Sequence, residues 1–125
     1  MQELKYHEIT QKIIGCAFEV HTFLGNGYQE VIYQRALAVE FTNAQLQYER
    51  EMDMSIFYKE ETYPIGTRRA DFIVEGKILV ELKAVLELES VHLSQILNYL
   101  KAYKLEVGLL INFGSKRMTF KRVVM

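Results

Sequence analysis

Apolar residues in the N-terminal third of the chain recur every three or four positions. Ile9, Ile13, Cys16, Ala17, Val20 and Leu24 therefore share one face of a helix. Gly25-Asn26-Gly27 ends that pattern. A second helix is predicted from about Tyr28 to Ala44, with Tyr33, Leu37 and Phe41 along one side and Ile32, Ala36 and Val39 beside them. The period then changes to two: Tyr48, Arg50, Met52, Met54 and Ile56 alternate with more polar neighbours, as in a strand. Lys59 to Gly66, which holds the single proline Pro64, is the most turn-like segment. Arg68 to Val74 and Ile78 to Lys83 read as a hairpin around Glu75-Gly76-Lys77. A third helix is expected over Leu88 to Leu105, with Leu93, Ile96, Leu97, Leu100 and Tyr103 as its apolar stripe and Ser90 as its cap. Val107 to Asn112 is nearly continuous in apolar residues, which suits a strand buried on both faces. Gly114 turns the chain into a last strand, Met118 to Val123. The order α-α-β-β-β-α-β-β predicts an α/β domain with a mixed central sheet flanked by helices. With no linker, repeat or low-complexity stretch, residues 1–125 read as a single domain.

The hairpin carries the most chemistry. Successive strand residues point to opposite faces. Phe72 and Val74 share one face with Ile78, Val80 and Leu82, and all five are apolar. The opposite face carries Asp71, Ile73, Leu79, Glu81 and Lys83. Pairing Val74 with Ile78 keeps the apolar face intact and sets Asp71 opposite Glu81, whereas a one-residue slip mixes the faces. Two adjacent carboxylates repel. Either a hard cation that prefers carboxylate oxygens, such as magnesium, or a salt-bridge cluster with Lys83 on a solvated face would offset that repulsion.

Composition narrows the setting. The 125 residues are half hydrophobic and a quarter charged, which excludes general disorder. Lys and Arg total 15 against 16 Asp and Glu, so bulk positive charge does not coat nucleic acid, although scattered pairs such as Arg68-Arg69, Lys116-Arg117 and Lys121-Arg122 remain. The lone cysteine, Cys16, forms no internal disulfide and sits on a core stripe. No run approaches the roughly 18 apolar residues of a membrane span, and Met1-Gln2-Glu3-Leu4-Lys5 lacks the layout of a signal peptide. A cytoplasmic location is expected. A serine or cysteine hydrolase is disfavoured, since no Gly-x-Ser-x-Gly elbow occurs and His7, His21 and His92 show no zinc-ligand spacing.

Other polar positions add to the carboxylate pair. On the third helix, His92, Gln95 and Tyr99 lie three and four apart on one flank of the stripe. A buried glutamine there needs a partner, an exposed one does not, and His92 fits a helix cap. Glu30, in the first turn of the second helix, is favourable to the helix dipole, and from its position alone that role outweighs a ligand role.

These residues form an ordered set that resembles the bacterial and archaeal GxxExxY proteins. Gly27-Tyr28-Gln29-Glu30-Val31-Ile32-Tyr33 fits the signature. The likeness continues through Arg69 to Gly76, Val80 to Val85, His92 to Lys101 and Gly108 to Gly114, which is nearly the whole chain. That family looks like a small branch of the PD-(D/E)XK nuclease superfamily, with a restriction-endonuclease-like core. The resemblance makes Asp71 the motif aspartate, Glu81-Leu82-Lys83 the E-x-K element and Glu30 the helical acid. Gln95-x-x-x-Tyr99 is similar to the Q-x-x-x-Y element of RecB-type exonucleases. Ala70 stands where many members carry proline.

The resemblance implies a metal-dependent nuclease of a prokaryote that hydrolyses phosphodiester bonds of DNA or RNA, DNA before RNA. Glu30, Asp71 and Glu81 would hold Mg2+ or Mn2+, Lys83 would orient the attacking water or stabilise the phosphate, and Gln95 and Tyr99 would position the substrate or Lys83. The alternative is a catalytically silent nuclease-fold module that binds nucleic acid or a protein. A domain this small leaves little surface for recognition, so a homodimer or a larger partner is expected to supply it.

Overall fold

The structure is a computed structural model that describes residues 4–125; Met1-Gln2-Glu3, part of the segment read above for a signal peptide, lies outside the described residues. Among the described residues the chain forms α1 (His7–Leu24), α2 (Glu30–Asn43), β1 (Tyr48–Phe57), β2 (Pro64–Val74), β3 (Ile78–Lys83), α3 (Ser90–Tyr103), β4 (Val107–Asn112) and β5 (Thr119–Val124). The expected element order holds throughout. The strands make one sheet in sequence order, antiparallel except for the parallel β3–β4 pair. That parallel pair requires a crossover, and α3 is its connection.

Two cores sandwich the sheet. On one face α1 and α2 pack Ile13, Ala17, Tyr33, Leu37 and Phe41 against Phe72, Val74, Ile78, Val80 and Leu82. The five-residue apolar face read from the hairpin is this core. Fully burying a side chain such as Leu37 or Phe41 contributes about 1.5–3 kcal/mol. On the other face α3 lays Ile96 and Leu100 against Ala70, Ile73, Leu79 and Leu110. The face that carries Glu81 is thus covered by a helix, not solvated. β4 is buried along its whole length, as its apolar run requires.

Several boundaries differ from those expected. Pro64, Ile65 and Gly66 belong to β2 rather than to a turn. Proline is tolerated there because it is the first residue of the strand. Ser90 is the first helical residue of α3, and Glu89 is the N-cap, its backbone N–H donating to His92 Nδ1 at 2.9 Å. Val39 and Leu97 face outward, being 58% and 40% exposed. Among the described residues no helix is long and apolar enough to cross a membrane.

Candidate metal centre

The hairpin register is the one the apolar pattern selects: Val74 pairs with Ile78, Ile73 with Leu79 and Phe72 with Val80. The backbone ladder stops there, where Asp71 and Glu81 would come next. Instead the side chains complete the pairing. The Asp71 backbone N–H donates to Glu81 Oε1 at 2.9 Å, and the Leu82 N–H donates to Asp71 Oδ2 at 2.8 Å. Each carboxylate accepts a backbone proton from the opposite strand, so the strands open without leaving these two N–H groups unpaired.

The opening has a cause on the neighbouring strand. β1 and β2 pair on both sides of Glu51 and Asp71 but not at them, and Glu51 takes a left-handed backbone with φ of 56°. The Tyr103 hydroxyl of α3 enters this gap, accepting from the Ala70 N–H at 3.0 Å and donating to the Met52 carbonyl. Ala70 and Ile73, three residues apart, both pack toward α3. Strict alternation forbids that, and the odd step falls at Asp71. The Asp71 side chain therefore leaves the face it was expected to share with Ile73 and meets α2, where Gln34 Nε2 donates to Oδ1 at 2.8 Å.

The electrostatics follow from this geometry. Glu81 is 8% exposed, and its carboxyl is pushed up to about 8, first by burial and then by the Asp71 charge; the Asp71 N–H and Lys83 oppose the rise. Asp71 is also raised by burial, against the Leu82 N–H, the Gln34 amide and Lys83. Glu30 opens α2 and is exposed, yet the protein crowding its carboxyl raises it, with Lys83 opposing and Asp71 adding. Glu30, Asp71, Glu81 and Lys83 thus lie within each other's field. Lys83 forms no ion pair within 4 Å among the described residues.

Outer contacts hold this group in place. The Tyr33 hydroxyl donates to the Gly25 carbonyl at 2.6 Å and accepts from the Tyr28 N–H at 3.2 Å, and its ring stacks on Phe113 at 4.7 Å. It thereby anchors the Gly25–Tyr28 loop from which Glu30 starts. Asn112 pairs with Lys83 across the β3–β4 ladder and is fully buried. Its Oδ1 accepts from the N–H groups of Val85 and Gly114, and its Nδ2 donates to the Val85 carbonyl. This fixes the path of the chain just after Lys83. Gly114 is demanded by that approach rather than by turn geometry, since a Cβ there would lie 2.3 Å from Val85 N.

The remaining candidates divide. Tyr99 is partly buried and is raised first by burial and then by the Glu81 charge, which puts it beside the site. Gln95 is exposed and makes no side-chain hydrogen bond among the described residues. His92 caps α3, the plain reading of that residue. Sequence reasoning missed Gln34, although its place one turn after Glu30 puts it on the same side of α2. It also missed the roles of Asn112 and of the Tyr103 hydroxyl.

The donor set suits a hard divalent cation only in part. Asp71 and Glu81 offer adjacent carboxylate oxygens, and Glu81 Oε2 makes no hydrogen bond; Arg122 Nε is the one sealed, unpartnered side-chain N or O atom among the described residues. No group of three or more His, Cys, Asp or Glu side chains that could hold a metal ion is found among the described residues.

Among curated proteins no significant match to this chain is found. Among solved structures it is similar to that titled "Crystal structure of SSO0001", with 22% identity and a TM-score of 0.59, over 96% of this chain and 59% of that one. The chain thus spans well under two thirds of that neighbour, and the likeness is one of fold. The sequence profile of the PD-(D/E)XK nuclease superfamily matches residues 7–123, so the chain belongs to that superfamily.

Proposed function

We propose that this chain, acting as a single GxxExxY-type domain, is a Mg2+- or Mn2+-dependent nuclease that hydrolyses phosphodiester bonds, with DNA the preferred substrate, in the cytoplasm of a prokaryotic cell. One observation carries the reading: two carboxylates, Asp71 and Glu81, replace the ladder at a parted strand pair and lie in the field of Lys83. Burying like charges side by side is costly. A divalent cation removes that cost, and superfamily membership supplies the chemistry that needs one.

Asp71 and Glu81 would hold the cation, and Glu30 would bind it directly or through water. When bound, the cation supplies positive charge to the phosphate and lowers the pKa of a coordinated water. Gln34 and the Leu82 N–H fix the Asp71 carboxylate, so its orientation is set before substrate arrives. Lys83 stabilises charge that gathers on the phosphate oxygens. Tyr99, with Gln95 as the first member of a Q-x-x-x-Y element, positions the strand. A second copy or a larger protein adds further recognition surface.

The test is cleavage of labelled single- and double-stranded DNA and RNA in Mg2+ or Mn2+. Cleavage that disappears in Glu81→Ala and Lys83→Ala is expected. Cleavage that survives in both variants overturns the mechanism. The second reading, a silent nuclease-fold module, draws on the lack of a three-ligand cluster among the described residues. Calorimetry with Mn2+ separates the two, since a silent module takes up no ion while its fold stays intact.

A further inference from the structure

One hollow that is both apolar and basic lies away from the carboxylates. It is a cavity of about 430 Å3 between the outer half of the β1–β2 hairpin and α3, lined by Ser55, Ile56, Phe57, Arg68, Asn98 and Lys101. Two features distinguish it from an ordinary surface dent. Arg68 and Lys101 both line it, and neither makes an ion pair among the described residues, whereas the adjacent Arg69 is held by Asp53 at 2.8 Å. An aromatic ring lines the same hollow: Phe57 is 50% exposed. Unpaired cations next to open aromatic faces are complementary to a single nucleic-acid strand, whose phosphates need charge and whose unpaired bases need stacking partners.

The groove shares β2 and α3 with the candidate centre. Arg68 precedes Asp71 by three residues on β2, about 10 Å at the rise of a strand. Asn98 and Lys101 flank Tyr99 on α3, and the Tyr99 hydroxyl feels the charges of both Glu81 and Arg68. The Tyr103 hydroxyl, bonded to Met52 and Ala70, clamps α3 onto the hairpin and so fixes the two walls relative to each other.

We propose that this groove is the anchoring site for a single nucleic-acid strand, with Arg68 and Lys101 on its phosphates and Phe57 stacked under a base a few nucleotides from the phosphate presented to Asp71 and Glu81. The proposal rests on the nuclease reading and names how its substrate is held. Duplex is the poorer ligand, because its bases already stack on each other and leave Phe57 nothing to cover.

The test is fluorescence anisotropy of labelled oligothymidylate with the full chain in EDTA, so that no turnover intervenes, across a salt series. The double variant Arg68→Gln/Lys101→Gln should lower the slope of log affinity against log salt by about 0.7 for each phosphate it no longer neutralises. Phe57→Ala should weaken binding by roughly five- to a hundredfold with little change in that slope. Both variants should take up Mn2+ as the unmodified chain does, which also certifies their fold. Unchanged affinity and slope in both variants would overturn the groove while leaving the metal reading intact. Loss of Mn2+ uptake by the unmodified chain would count against the nuclease reading instead. Tighter binding of duplex than of single strand, or equal competition by polyglutamate, which would indicate an acidic protein as occupant, also overturns the proposal.

Discussion

Glu81→Gln should make the metal-free protein more stable at neutral and alkaline pH. In the folded chain burial, and then the Asp71 charge, push the Glu81 carboxyl up to about 8 from 4.5. Below pH 4.5 both folded and unfolded chains hold the proton, and the site costs nothing. Between pH 4.5 and 8 the unfolded chain releases the proton while the folded chain keeps it. The unfolded state then binds fewer protons, so stability falls as pH rises, by about 1.4 kcal/mol per pH unit. Across the interval the loss is on the order of 3–5 kcal/mol, and above pH 8 it stays constant. Glutamine keeps an oxygen for the Asp71 N–H and has no charge to desolvate. Urea denaturation in EDTA at pH 4.5, 6 and 8 measures this. The variant should match the unmodified protein within about 1 kcal/mol at pH 4.5 and exceed it by several kcal/mol at pH 8. A stability difference that does not change with pH, or a variant that is less stable at pH 8, would refute the reasoning.

Other side chains make separate predictions. Tyr33→Phe loses the bonds to Gly25 and Tyr28 but keeps the stack on Phe113, so it should cost about 1–2 kcal/mol and raise hydrogen exchange in the Gly25–Tyr28 loop. Gln34→Leu removes the amide that holds Asp71 Oδ1; nuclease turnover should fall while substrate affinity stays within about twofold, since the strand is gripped elsewhere. Gly114→Ala forces a Cβ into the backbone of Ala84 and Val85, and thermal unfolding should show a loss of about 3 kcal/mol or more with perturbed signals from Lys83.

Most of the fold was legible because its signals are local. The spacing of Tyr33, Leu37 and Phe41 places α2 on the core, and the five apolar residues of the hairpin select its register. Carried one step further, that register predicts Asp71 opposite Glu81, where the ladder instead ends and each carboxylate accepts a backbone proton from the other strand. What periodicity could not show was the break in the strand itself. The left-handed Glu51, the Tyr103 hydroxyl in the gap and the turn of Asp71 toward Gln34 are products of three elements meeting, and no single segment encodes them. The β2 start was misread for a related reason. Pro64 and Gly66 are turn residues by composition, yet the long partner β1 draws them into the ladder. Gly114 was read as a turn, while its true constraint is a neighbour distant in sequence. The place of Glu30 at the start of α2 was visible from its motif.

The central claim is that Asp71 and Glu81 form a divalent-cation site. A crystal of the full chain soaked in Mn2+ and measured at the manganese absorption edge tests it directly. The expected result is one anomalous peak bound by carboxylate oxygens of Asp71 and Glu81 at a little over 2 Å, with Glu30 meeting it directly or through water. Crystals that diffract well and show no peak there, or a manganese ion bound only elsewhere on the chain, would contradict it.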